Sequence, residues 1–141
     1  MVVTAKVQYA CLALIELGLQ QGGDRLVQLR AIAEGHGIPS PFLVQIMQQL
    51  KNAGLVTSVR GASGGYRLAQ DAQRISLAAI VEAIEGPVVG DEGPTERETD
   101  VARVVRNAWF QVSVRYREVL AETTLDQLIE QSSSAATMYH I

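Results

Sequence analysis

The chain has 141 residues, 48% of them hydrophobic, and a net charge of −3. That length holds one globular domain with room for an appended element, and is enough to bury a core. No run of about 18 uninterrupted apolar residues exists to span a membrane, and the N-terminus lacks the basic region, apolar core and cleavage site of an export signal. The single cysteine, Cys11, excludes an intramolecular disulfide and fits a reducing compartment, so the expected location is the cytoplasm.

The first expected element is a helix from about Thr4 to Gln20, with Val7, Tyr9, Ala10, Leu12, Leu14, Ile15 and Leu17 apolar around much of its circumference. Gly22-Gly23-Asp24 reads as a connection. Leu29 to Glu34 has apolar residues at helical spacing and meets Gly35 and Gly37. After the turn Gly37-Ile38-Pro39, Ser40 is placed as an N-cap and Pro41 in the first helical position, where its missing N–H costs nothing. Phe42, Leu43, Ile46, Met47 and Leu50 form the apolar stripe of that helix, which ends near Asn52-Ala53-Gly54.

Two β-forming runs follow, Leu55–Val59 and Tyr66–Leu68, around a loop with three glycines and with Arg60 and Arg67 at its bases. Glycines permit positive φ and close backbone approach, which suits a hairpin longer than the two-residue kind. Taken alone, the segment reads equally well as an ordinary exposed hairpin. Helix, turn, second helix, hairpin is the order of a winged helix-turn-helix, in which the second helix enters the major groove and the wing follows the backbone or minor groove.

Beyond the hairpin, Ser76 can cap a short helix from Leu77 to Glu85 that stops at Gly86-Pro87. Residues 87–95 form the expected linker. Thr95-Glu96-Arg97-Glu98 has capping-box spacing and is expected to open a long helix through about Glu122. Its apolar stripe (Val101, Val104, Val105, Ala108, Val112, Tyr116, Val119 and Leu120) is longer than a small domain needs for its own core, and points to a partner helix; packing on the first helix of the same chain is the alternative. Thr124 can cap a last short helix, Leu125 to Gln131, with residues 132–136 as a frayed tail.

The fold expected is mainly α with a small β-hairpin wing: a winged helix-turn-helix over residues 1–86, the linker, and a dimerisation helix with C-terminal tail over 96–141. Charge divides the same way. Residues 1–70 hold six basic and three acidic side chains, a net +3, whereas residues 71–141 hold six basic and twelve acidic, a net −6. Local field rather than total charge attracts phosphate, and the basic half carries the wing.

The candidate DNA contacts follow from residue type and position. Arg60 and Arg67 lead, since wing arginines suit a narrow minor groove or its phosphate walls. Ser40, at the start of the recognition helix, can meet a phosphate or base edge, or serve only as a cap. Gln45 is the glutamine expected to face the groove, where it can pair with adenine, while Gln48 and Gln49 are expected to be solvated. Lys51 and Arg30 can reach phosphates. Cys11 is the one candidate redox group, although a thiol in an apolar helix is more often an inert core residue. His36 and His140 make no metal-binding spacing with it, and no metal is expected.

The chain resembles the Rrf2 family of bacterial winged-helix regulators. The matching residues are Tyr9-Ala10 with Ala13-Leu14, then Leu29 with Ile32-Ala33, then Leu50 to Val56. The most specific are Val59-Arg60-Gly61 with Gly64 to Ala69, and Ile80 to Pro87; Trp109 and Thr124-Leu125 also fit. The resemblance covers almost the whole chain and implies a dimeric transcription factor, usually a repressor, on an imperfect palindrome. Many members hold an iron–sulfur cluster on three cysteines in the region that corresponds to residues 87–108. Here that region has neither cysteine nor histidine, and Gln8 stands where some members have an acidic ligand. Thiolates supply the binding energy of such clusters, so no cluster and no other cofactor is expected. Val44 stands where some members place a glutamate; it can touch a thymine methyl but cannot accept from cytosine, so the operator should differ from theirs.

Without cluster ligands, control falls to a small-molecule effector between the long helices and the wing domain, or to a regulatory protein. The function expected is a sequence-specific transcriptional regulator acting as a homodimer on double-stranded DNA. The alternative is a winged-helix adaptor working through protein contacts. Nothing in the sequence assembles a catalytic set, and the Gly61–Gly65 loop lacks the lysine and following helix of a P-loop.

Overall fold

The structure is a computed structural model that describes residues 3–20, 25–90, 93 and 95–139, with side chains described as far as residue 135. Helix α1, Ala5–Leu19, is capped by Thr4, whose hydroxyl accepts from the Val7 N–H. Helix α2, Leu29–His36, ends on Gly37 in the left-handed conformation, φ +64°, which reverses the chain into the turn before α3. Helix α3 covers Ser40–Asn52. Strands β1, Val56–Val59, and β2, Gly65–Leu68, pair antiparallel with Thr57 opposite Arg67 and Ser58 opposite Tyr66. A single 3-10 turn, Ala72–Arg74, leads into α4, Leu77–Glu85, which is capped by the Ser76 hydroxyl. Helices α5, Asp100–Glu122, and α6, Leu125–Tyr139, complete the chain.

One apolar core joins the elements. Leu14 and Leu17 of α1, Ile32 of α2, and Leu43, Ile46, Met47 and Leu50 of α3 are sealed from solvent with Val56, Ile80 and Leu125. Burying a side chain of this size is worth roughly 1.5–3 kcal/mol, so α3 is held to the body by one whole face. The opposite face of α3 stays in solvent.

The hairpin is fastened at its base. Tyr66 and Val27 exchange both backbone hydrogen bonds at 2.8 Å, which adds one residue of the segment before α2 to the edge of β2. Gln28 Nε2 also donates to the Ala62 carbonyl, 3.1 Å away, in the wing loop. The glycines follow from this packing. Gly65 has φ +153°, and a Cβ there would sit 2.6 Å from the Val27 carbonyl oxygen. A Cβ at Gly64 would sit 2.0 Å from that of Val59.

Three boundaries differ from expectation. Ser40 is the first residue of α3 rather than its cap; the cap position is Pro39, and no side chain closes that end. The capping-box residues Thr95–Glu98 form a turn, and α5 starts only at Asp100, where the Thr99 hydroxyl accepts from Ala102 N. Glu98 instead binds Arg106 at 2.6 Å. Finally α6 does not fray at Ser132. The Ser132 hydroxyl donates back to the Leu128 carbonyl, and Ile129 packs on α1 at Gly18, where a Cβ would meet it at 2.1 Å. The connections expected at Gly22–Asp24 and at Asp91, Glu92 and Pro94, with His140, lie outside the described residues.

Candidate nucleic-acid interface

Helical geometry sorts the α3 side chains. Leu43, Ile46, Met47 and Leu50 face the core, while Ser40, Val44, Gln45, Gln48 and Lys51 are exposed on the other side. Val44 is 51% exposed, an apolar side chain in solvent on an otherwise polar face. Gln45 has no side-chain hydrogen bond among the described residues and is free to meet a base edge. Gln48 is exposed as expected, on the same face as Gln45, and donates to Asn52 Oδ1 at 2.9 Å. Gln49 is not solvated, contrary to expectation. It turns inward, and its Nε2 donates to the Ile84 carbonyl at the end of α4, 3.1 Å away.

The cations fall into two groups. Lys51 Nζ donates to the Ser58 hydroxyl at 2.8 Å, which holds the ammonium between the end of α3 and the hairpin. Arg60 directly follows β1, and Arg67 stands on β2 opposite Thr57; both are exposed, and neither has an acidic partner among the described residues. Lys51, Arg60 and Arg67 therefore gather around the hairpin with their charge uncompensated. Arg30 is in a different state. On α2 it pairs with Glu34 at 2.9 Å, and this bond raises the guanidinium pKa. The arginine is exposed, but part of its field is cancelled.

Cys11 is the candidate that stands apart. It packs against the core from α1, and burial pushes its thiol up from the ordinary value. A thiol held protonated is a poor nucleophile.

Helix α5 shows the opposite of burial. None of its 23 residues is buried. Val101 is 74% exposed and Trp109 69%, and Val105, Val112 and Val119 stand exposed at intervals of seven. Its attachment to the body is polar: Arg117 Nη2 donates to Glu82 Oε1 of α4 at 2.9 Å, and the other oxygen of that carboxylate accepts from Val88 N at 3.2 Å. The Arg117 bond is the largest cause of a lowered Glu82 pKa. The helix that packs most extensively on α1 is α6, not α5.

Comparison with known proteins decides the family. The profile described as "Rrf2: Iron-dependent Transcriptional regulator" matches residues 3–131. The chain belongs to the Rrf2 family. It is 32% identical to the HTH-type transcriptional regulator CymR of Bacillus subtilis over 139 residues, 99% of this chain and 97% of that one. It is 33% identical to the IscR regulator of Photobacterium profundum over 132 residues, 92% of this chain and 76% of the relative. Among solved structures, CymR of B. subtilis, the global cysteine regulator of that organism, superimposes with a TM-score of 0.75 at 31% identity, covering 93% of this chain and 98% of the other. The oxidised form of Staphylococcus aureus CymR gives a TM-score of 0.71 at 33% identity, covering 92% and 97%. Like the Rrf2 family, the protein is a DNA-binding transcriptional regulator and not an enzyme. Among the described residues no helix is long and apolar enough to cross a membrane.

The family description names iron, and the residues present do not fit it. The only thiol is half-buried on α1 against the core, and residues 87–108 offer no cysteine or histidine. Glu98, a carboxylate of that region, is taken by Arg106 and lies near Arg103, and its pKa is lowered chiefly by the Arg106 bond. Among the described residues no three His, Cys, Asp or Glu side chains converge as metal ligands. Carboxylates held by arginine cannot stand in for the soft thiolates that such clusters require.

Proposed function

We propose that this Rrf2 protein is a homodimeric, cluster-free repressor in the cytoplasm that binds a palindromic operator. The observation that carries the reading is the state of α5. A helix of 23 residues with no buried side chain gains little from packing on its own chain, apart from its attachment to α4. Valines seven residues apart supply the seam along which a second α5 would pack. A two-fold axis through that seam presents two α3 helices and two wings to one face of a duplex.

In this arrangement Gln45 and Gln48 read base edges, Val44 contacts a thymine methyl, and Ser40 meets the backbone at the start of α3. Lys51, Arg60 and Arg67 bind phosphates or the minor groove, with Arg30 in a lesser role because Glu34 competes for it. Six basic side chains in the first seventy residues are few, so two subunits are needed for useful affinity.

The test is selection of sheared genomic DNA by the purified protein at about 150 mM salt, followed by sequencing. Enrichment of a palindrome with half-sites separated by about one helical turn, or a multiple of it, is the expected outcome. Enrichment of single half-sites would overturn the dimer, and binding with no sequence preference would favour the adaptor reading.

A further inference from the structure

Gln28 stands at the cap position of α2, on extended backbone (φ −73°, ψ 142°) that suits a capping side chain. Serine, threonine, aspartate or asparagine there would accept from a backbone N–H of the first turn. Glutamine is not among the favoured caps, and the Gln28 side chain makes no such bond. It crosses instead to the wing, where its Nε2 donates to the Ala62 carbonyl at 3.1 Å, 34 residues along the chain. The wing tip has little else to hold it. Residues 60–63 are exposed, and the Gly64 N–H bonds within the tip, to the Gly61 carbonyl at 3.0 Å. Strand pairing ends at Val59 and Gly65, so among the described residues the Gln28 bond is the one hydrogen bond from the tip to the rest of the chain.

We infer that Gln28 is a positioning residue for DNA binding: it gives up the capping of α2 to fix the wing loop, and with it Arg60, in the conformation that meets the duplex. The bond falls on Ala62, two residues beyond Arg60. A loop with exposed backbone and few contacts samples many conformations, and ordering it on binding costs free energy. An arginine already held in place loses less freedom on contact than one on a loose tip.

Helix stability and DNA affinity are thereby set against each other at one position. A residue that caps α2 releases the wing, and the residue that holds the wing leaves α2 uncapped. The role in affinity rests on the DNA-binding reading above; the tether itself does not.

Trypsin cuts after arginine, so cleavage of the Arg60–Gly61 bond reports how often the tip opens in the free protein. Two variants of the full chain separate the roles. Gln28→Met keeps the length of the side chain without the donor, whereas Gln28→Ser is too short to reach Ala62 but can cap α2. Relative to cuts at other arginines, both should be cleaved after Arg60 about threefold faster than the wild type, or more, with the fragments identified by mass. Gln28→Ser should melt about 2–4 °C above Gln28→Met. Both should bind the operator duplex recovered by selection roughly three- to fivefold more weakly, the size of one modest hydrogen bond. In an Arg60→Ala background Gln28→Met should cost almost nothing further, since the side chain it positions is gone. An unchanged cleavage rate would overturn the tether. Faster cleavage with full affinity would overturn the positioning role, and so would a loss of affinity that persists undiminished in Arg60→Ala, which would mark a direct contact with DNA. No DNA enters the cleavage measurement. A wild type that selects no operator overturns the role in affinity together with the operator reading, and the cleavage rates still decide the tether.

Discussion

Gln49 of α3 donates its amide N–H to the carbonyl of Ile84, 3.1 Å away at the C-terminal end of α4, while its own Oε1 is buried without a partner among the described residues. An unsatisfied buried acceptor has a cost, and the helix retains it because the donor half of the same amide fixes the orientation of α3 against α4. Replacing Gln49 by leucine removes the donor and the stranded oxygen together. Thermal stability is expected to change little, whereas operator affinity should fall several-fold as α3 loses its orientation. A variant that keeps full affinity would show that packing alone positions the helix.

Arg60→Ala and Arg67→Ala should each lower operator affinity at least several-fold with an unchanged melting temperature, because both side chains are exposed and have no acidic partner among the described residues. Each should also reduce the slope of log affinity against log salt by about one, the signature of a lost phosphate contact. Arg30→Ala is expected to cost less, since Glu34 already holds that side chain. Anisotropy titrations across a salt series measure all three.

Val105 and Val119 lie two heptads apart on the exposed line of α5. The double substitution of both by lysine should leave the fold intact and convert a dimer into a monomer in sedimentation analysis. A dimer that persists would place the interface elsewhere.

The Glu82–Arg117 pair makes the attachment of α4 to α5 sensitive to acid. The folded-state pKa of Glu82 is lowered, so its contribution is present above the ordinary carboxylate range and is lost as the pH falls through the depressed value. Glu82→Gln should therefore melt below the wild type at neutral pH, with the gap closing at acid pH, in scans followed by circular dichroism. The effect should be modest, since Arg117 is almost half exposed.

Gly65→Ala meets two obstacles at once, a φ of +153° and the Val27 carbonyl at 2.6 Å. A loss of about 1–3 kcal/mol is expected from the strained backbone alone, measured by denaturant unfolding.

Much of this architecture is legible in local signals. Ser76 caps the helix that its position announces, and the glycine-rich loop does close a hairpin. Spacing misleads where two structures share it. Threonine and glutamate three apart suit a capping box and equally a turn, and only the distant Arg106 decides in favour of the turn. The seating of α6 is hidden for a related reason, because Ile129 packs in the space that Gly18 leaves on α1. In the candidate interface the exposed placing of Arg60 and Arg67 at the base of the hairpin could be expected from the chain alone. The inward turn of Gln49 could not, since its partner lies thirty-five residues away on another helix.

Helix α5 is not a free arm. Just past its C-terminal end the Thr123 carbonyl accepts from Leu77, Leu125 donates to the Ile75 carbonyl, and Ser76 and Thr124 form a bridge, while the Arg117 bond pins the helix part-way along. A strut about 35 Å long at ~1.5 Å per residue, fixed in this way, works in the proposed dimer as a measuring rod between the two reading heads. One residue inserted between Arg106 and Arg117 would turn the far part of the rod by about 100°. Each head would still fit its own half-site, but the spacing and phase of the preferred palindrome would have to change.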